Sequence, residues 1–98
     1  MSKHSLEGKI VIIGGGAKNL GGLIARDFAK NGVKAIAVHY NSDSTKAAAD
    51  ETVVAVKELG AEAIAIRGDL TKPANVTKLF DETIAAFGGV DIAINTTG

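Results

Sequence analysis

The sequence has no cysteine and no tryptophan, one proline and one methionine among 98 residues. Without cysteine there can be no disulfide framework, no thiolate nucleophile and no zinc–thiolate site. Charge of one sign is also lacking. Eleven basic residues balance eleven acidic ones, so no broad field draws the chain to nucleic acid or to an anionic membrane surface. No apolar run approaches the ~18 residues that a membrane-spanning helix requires. The opening "MSKHSLEGK" lacks the apolar stretch of a secretory signal. These absences point to a cytoplasmic protein with neither nucleic acid nor membrane as a partner. An apolar fraction of 46% and a charged fraction of 22% are those of an ordinary folded domain.

Glycine, in contrast, is plentiful. Five of the twelve fall within Gly14–Gly22, "GGGAKNLGG", directly after the apolar run "KIVII". The rest of the chain alternates short β-rich runs with helical segments. Lys9–Ile13 reads as a buried strand. Leu20–Asn31 reads as a helix, with Leu20, Leu23, Ile24, Phe28 and Ala29 near helical spacing and Gly32 as its stop. Val33–His39 is a second strand. Asp43 or Ser44 offers an N-cap for a helix over Thr45–Leu59, with Ala49, Val53, Val56 and Leu59 on its apolar side and Gly60 behind it. Ala61–Ile66 is a third strand, whose alternation places it toward a sheet edge. Thr71 is the expected cap of a third helix that carries Pro73 in its first turn. Its stripe is Val76, Leu79, Phe80, Ile84 and Phe87, and Gly88-Gly89 end it. Val90–Asn95 is the fourth strand.

The order βαβαβαβ predicts an α/β fold: a doubly wound parallel sheet of the Rossmann type, with right-handed crossovers and strand order 3-2-1-4. It reads as one domain over residues 1–98. Two helices should cover one sheet face and the third helix the other.

A glycine-rich loop between a buried strand and a helix suits an anion. The first-turn N–H groups of the helix lack partners, its dipole is positive there, and glycine lets a pyrophosphate approach the backbone. The plainer alternative is a tight turn alone, for which two glycines would suffice. A P-loop is excluded because Lys18 is followed by Asn19 rather than Ser or Thr. A phosphoacceptor domain would carry carboxylates where this chain has glycines.

With these features the chain resembles the short-chain dehydrogenase/reductase superfamily, over essentially its whole length. The family loop runs Thr-Gly, three residues, Gly, one residue, Gly. "IARDFA" is similar to the following helix and places Gly15 and Gly21 on the first and last glycines. Gly14 then stands for the threonine and Asn19 for the middle glycine. Asn tolerates left-handed backbone angles, so Asn19 is expected to adopt such a conformation. "GDL" (Gly68–Leu70) follows the third strand, where the family sets an aspartate beside adenine. The alternative for Asp69 is a helix cap. "NTTG" (Asn95–Gly98) is similar to the family's Asn-Asn-Ala-Gly, and Asn95 can also serve to tie strands together.

The resemblance implies a dinucleotide site built from Gly15, Lys18, Asn19, Leu20, Gly21, Tyr40, Asn41, Ser42, Asp69, Leu70, Asn95, Thr97 and Gly98. It favours NADP(H) over NAD(H). An NAD-selective site places an acid at the end of the second strand, whereas that stretch here reads "HYNSDSTK". Tyr40, Asn41 and Ser42 are neutral donors for a 2′-phosphate, and Asp43 falls later, where it would cap the second helix. Lys18 would add a positive charge; its alternative is an ordinary solvated lysine. His4 and His39 are assigned to neither catalysis nor metal, and no metal site is expected.

The family's catalytic serine and Tyr-x-x-x-Lys lie downstream of the Asn-Asn-Ala-Gly motif. Tyr40 is the sole tyrosine here and position 44 is Ser44, so no catalytic residue carries over. The resemblance implies hydride transfer between nicotinamide and a ketone or secondary alcohol, with 3-oxoacyl-thioester reductases as the nearest pattern. We expect the chain to be the N-terminal part of such an enzyme, ending after the fourth strand. That strand would then be an open, association-prone edge, and a homo-oligomer is expected. A non-catalytic nucleotide-binding or interaction module is the alternative.

Overall fold

The computed structural model describes residues 6–15 and 19–96. Among these residues four strands and three helices alternate: β1 (Ile10–Gly14), α1 (Asn19–Lys30), β2 (Ala35–Tyr40), α2 (Lys46–Glu58), β3 (Glu62–Arg67), α3 (Pro73–Phe87) and β4 (Ile92–Asn95). A 3-10 turn over Asp43–Thr45 leads into α2. All pairings are parallel and the strand order is β3-β2-β1-β4, the expected Rossmann-type topology.

Alternation along the strands sorts their side chains onto two faces. On one face Val11 and Ile13 of β1 meet Ile36, Val38 and Tyr40 of β2 and Ala63 of β3. Ala25 and Ala29 of α1 and Ala49 and Val56 of α2 close over them. On the other face Ile12, Ala37 and Ile66 pack against Leu79 of α3, with Ile64 and Phe80 alongside. Each fully buried Val or Ile contributes about 1.5–3 kcal/mol relative to exposure, so the first face carries most of the core.

The helix faces differ from the simple apolar stripes. Leu20 and Leu23 are 61% and 67% exposed. Ile24 and Phe28 do pack against the core, partly buried, and the most buried line of α1 is Gly21, Ala25 and Ala29, spaced four apart. Small residues let the helix axis come close to the strands. On α2 the buried residues are Ala49, Thr52 and Val56, while Leu59 lies past the helix end and is exposed. On α3 Leu79 and Thr83 are buried, whereas Val76 and Ile84 are exposed. The two buried threonines satisfy their hydroxyls by donating one turn back, Thr52 to the Ala48 carbonyl at 3.0 Å and Thr83 to that of Leu79 at 2.7 Å.

The caps also need correction. The N-cap of α3 is Lys72, in extended conformation, with Pro73 at the first helical position. Thr71 is drawn into a turn with Asp69 instead. The N-cap of α2 is Thr45, not Asp43 or Ser44, and no side chain caps the helix. Thr45 Oγ1 donates back to the Ser42 carbonyl at 2.9 Å. Gly88 does end α3, at φ +95°, with its N–H on the Ile84 carbonyl at 2.7 Å.

Candidate functional site

The carboxyl ends of β1 to β4 meet at one end of the sheet, where Gly14 pairs in register with Asn95, and Tyr40 with Arg67. This is the end at which open α/β sheets form their ligand crevice. The chain leaves β1 through Gly15, whose φ is +74°, a value that strongly favours glycine. It then enters α1 at Asn19. The left-handed conformation expected of Asn19 is not found: its backbone is already helical. Gly15 takes the left-handed angle in this turn.

Gly14 is packed closely on two sides. A Cβ there would lie 3.3 Å from Asn95 Oδ1 and 3.3 Å from a methyl of Leu70. Thr96 clasps the turn from below. Its N–H donates to the Gly14 carbonyl at 2.8 Å, and its hydroxyl reaches the Gly14 and Gly15 carbonyls at 2.8 and 3.2 Å. From the opposite side the Gly15 N–H donates to Nδ1 of His39 at 2.9 Å, while Nε2 of the same ring lies 2.6 Å from the Gly68 carbonyl. No site role for His39 or Thr96 follows from the sequence. Neither has a partner close along the chain, and only the parallel register brings them to the turn.

Asn41, Asp69, Leu70 and Asn95 come together, with His39 and Thr71, around a cavity of about 340 Å³. Asp69 makes a tight turn rather than a helix cap. Its Oδ1 accepts from the Thr71 N–H at 3.0 Å and from the Thr71 hydroxyl at 2.7 Å. Those bonds hold its carboxyl below the ordinary aspartate range. A second cavity, about 200 Å³, adjoins on the α3 face and shares Leu70 and Asn95 with the first; Ile12, Leu79, Phe80 and Ala93 make its apolar wall.

The remaining candidates lie further out. Ser42 Oγ is 2.8 Å from Ser44 Oγ. Asp43 is bound by Arg67 of β3 at 2.7 Å, so it is held toward the outer strand rather than capping α2. Tyr40 is only 9% exposed and packs in the core beneath α1 and α2. Leu20 is exposed, and Gly21, in the first turn of α1, is buried. Lys18, Thr97 and Gly98 lie outside the described residues, as does His4. Asp91, at the foot of β4, is structural: its carboxylate accepts from the Ile10 N–H at 2.8 Å.

A glycine turn at the carboxyl end of a parallel strand, an adjoining helix N-terminus and a polar cavity at the carboxyl ends of β2, β3 and β4 fit a dinucleotide. The family comparison agrees, since the family model described as short chain dehydrogenase matches residues 9–98. The chain belongs to the short chain dehydrogenase family. Among its relatives, the chain is 42% identical over 93 residues to 3beta-hydroxysteroid dehydrogenase 1 of Eggerthella lenta, covering 95% of this chain and 34% of that protein. It is 39% identical over 95 residues to the hydroxynaphthalene reductase-like protein Arp2 of Metarhizium acridum, covering 97% and 34%. A Burkholderia cenocepacia dehydrogenase solved with bound NADP superimposes with a TM-score of 0.90 at 58% identity, covering 92% of this chain and 34% of that one. The chain thus spans about a third of the length of these short chain dehydrogenases. Among the described residues, no helix is long and apolar enough to cross a membrane.

Proposed function

We propose that this chain forms the NADP(H)-binding part of a short-chain oxidoreductase that transfers hydride between nicotinamide and a ketone or secondary alcohol. The observation that carries this reading is the cavity beside the glycine turn, with neutral Asn41 on its wall and the nearest acid after β2, Asp43, tied to Arg67. A free carboxylate there would bind ribose hydroxyls and repel a 2′-phosphate. With Asp43 neutralised by a guanidinium, Asn41 and Ser42 are left as donors for the phosphate, joined by Lys18 from the loop. Gly15 and Gly21 admit the pyrophosphate, Asp69 and Leu70 flank the adenine, and Asn95, Thr97 and Gly98 border the nicotinamide side. Tyr40 supports this wall from the core. The bound dinucleotide would supply the hydride; this chain's part is to bind and orient it.

The coenzyme bound to the Burkholderia protein and the similarity to a hydroxysteroid dehydrogenase and a hydroxynaphthalene reductase-like protein support this reading. Fluorescence titration with NADPH and NADH tests it. Tighter NADPH binding is expected. Equal or tighter NADH binding overturns the preference, and binding of neither overturns the site.

A further inference from the structure

We propose that His39 is a positioning residue for the dinucleotide, holding the Gly15 turn through one tautomer of its ring. The proposal rests on the dinucleotide reading above.

His39 is 1% exposed. It stands at the carboxyl end of β2, the strand that lies between β1 and β3, and its ring spans the two. The Gly15 N–H can only donate, so Nδ1 must present a lone pair to it. The proton of a neutral ring is then on Nε2, where it donates to the Gly68 carbonyl, which can only accept. Two backbone groups, one just past β1 and one just past β3, thus select the same tautomer.

Packing alone does not call for a histidine here. Ala37 and Val38 just before it are equally buried and make no such bonds. The ring's acceptor goes to the turn, not to the sheet ladder. Gly15 is the residue with φ +74°, and Thr96 holds its carbonyl from the other side. The turn is therefore clamped between β2 and the end of β4, directly beside the cavity that His39 also lines. Without the Nδ1 acceptor, the Gly15 N–H loses its partner and the turn can rotate away from the geometry that admits a pyrophosphate.

Two variants of the full chain separate positioning from packing. In His39→Asn, Oδ1 branches from Cγ as Nδ1 does, so the acceptor for Gly15 remains and cannot be protonated. In His39→Gln, the amide reaches toward Gly68 and offers nothing at the Nδ1 position. Each variant gives up one of the two bonds, so both should lose comparable thermal stability. NADPH affinity should divide them: within about threefold of the parent for Asn, and about tenfold weaker for Gln, the scale of one lost buried hydrogen bond. Nitrogen NMR of the free protein should place the ring proton on Nε2.

Equal affinities for the two variants, or a neutral-pH ring proton on Nδ1, overturn the proposal while leaving the dinucleotide site standing. If the parent binds neither NADPH nor NADH, the site reading falls and this role falls with it.

Discussion

The two faces of the sheet are built differently. Beneath α1 and α2, Val11, Ile13, Ile36 and Val38 are entirely enclosed, and two helices cover four strands with small residues at the contact. Beneath α3 a single helix meets the sheet. There Ile12 and Leu79 are buried, but Phe80 is only partly covered and Ala93 of β4 is exposed. The first face is a finished core. The second leaves apolar surface beside the cavities and, among the described residues, gives β4 a strand neighbour on one side only. Stability and ligand space are thus divided between the two sides of one sheet, and alternation along each strand keeps them apart.

The sharpest way to break that contrast is to truncate one side chain on each face. Ile36→Ala on the closed face should cost about 2–5 kcal/mol, because the enclosed cavity cannot collapse. Phe80→Ala on the open face should cost about 1–2 kcal/mol, since part of that ring is already in water. Urea unfolding checks both, and equal losses would mean that the second face is as tightly packed as the first. Next in size is the association expected of the β4 side. Ultracentrifugation of the isolated chain should show self-association, and a stable monodisperse monomer would count against an open edge.

Arg67→Ala should change stability by less than about 1 kcal/mol, as an exposed ion pair does. Its larger effect should be on selectivity. Asp43, released near the 2′-phosphate position, should weaken NADPH relative to NADH severalfold, and adding Asp43→Asn should reverse that. Asp69 gives the smallest effect. Its folded carboxyl is depressed by the bonds from Thr71, so the turn's contribution is complete above the ordinary aspartate value of 3.8 and is lost as pH falls through the lower folded value. The Thr71 amide shift should therefore hold constant from neutrality down to that value and move only in stronger acid. In Thr71→Ala the carboxyl should titrate nearer its ordinary range.

Much of the architecture could be read directly from the residues. The strand-rich runs "IVII", "AIAV" and "IAI" alternate with glycine-stopped helices, which suffices for a parallel sheet and its 3-2-1-4 order. Each strand sits slightly later than its apolar run suggests. Gly14, Tyr40 and Arg67 join the ladder through backbone pairing, which composition does not report. The helix faces were less legible. Leu20 and Leu23 have the hydrophobicity of core residues, but the close approach of α1 selects glycine and alanine for the sheet side. The site was half legible. Gly15, Asn41, Asp69, Leu70 and Asn95 follow from motif and position, whereas His39, Thr96 and the Arg67–Asp43 pair involve partners 24 to 82 residues apart.

By itself, then, the sequence determined the alternating elements, the glycine turn and the family, because periodicity and local backbone preference act over a few residues. The tertiary structure decided which tautomer His39 carries, which neighbour holds Asp43 and which side of each helix is buried. Those depend on groups that meet only once parallel strands are in register, where a shift of one residue would turn each side chain to the opposite face.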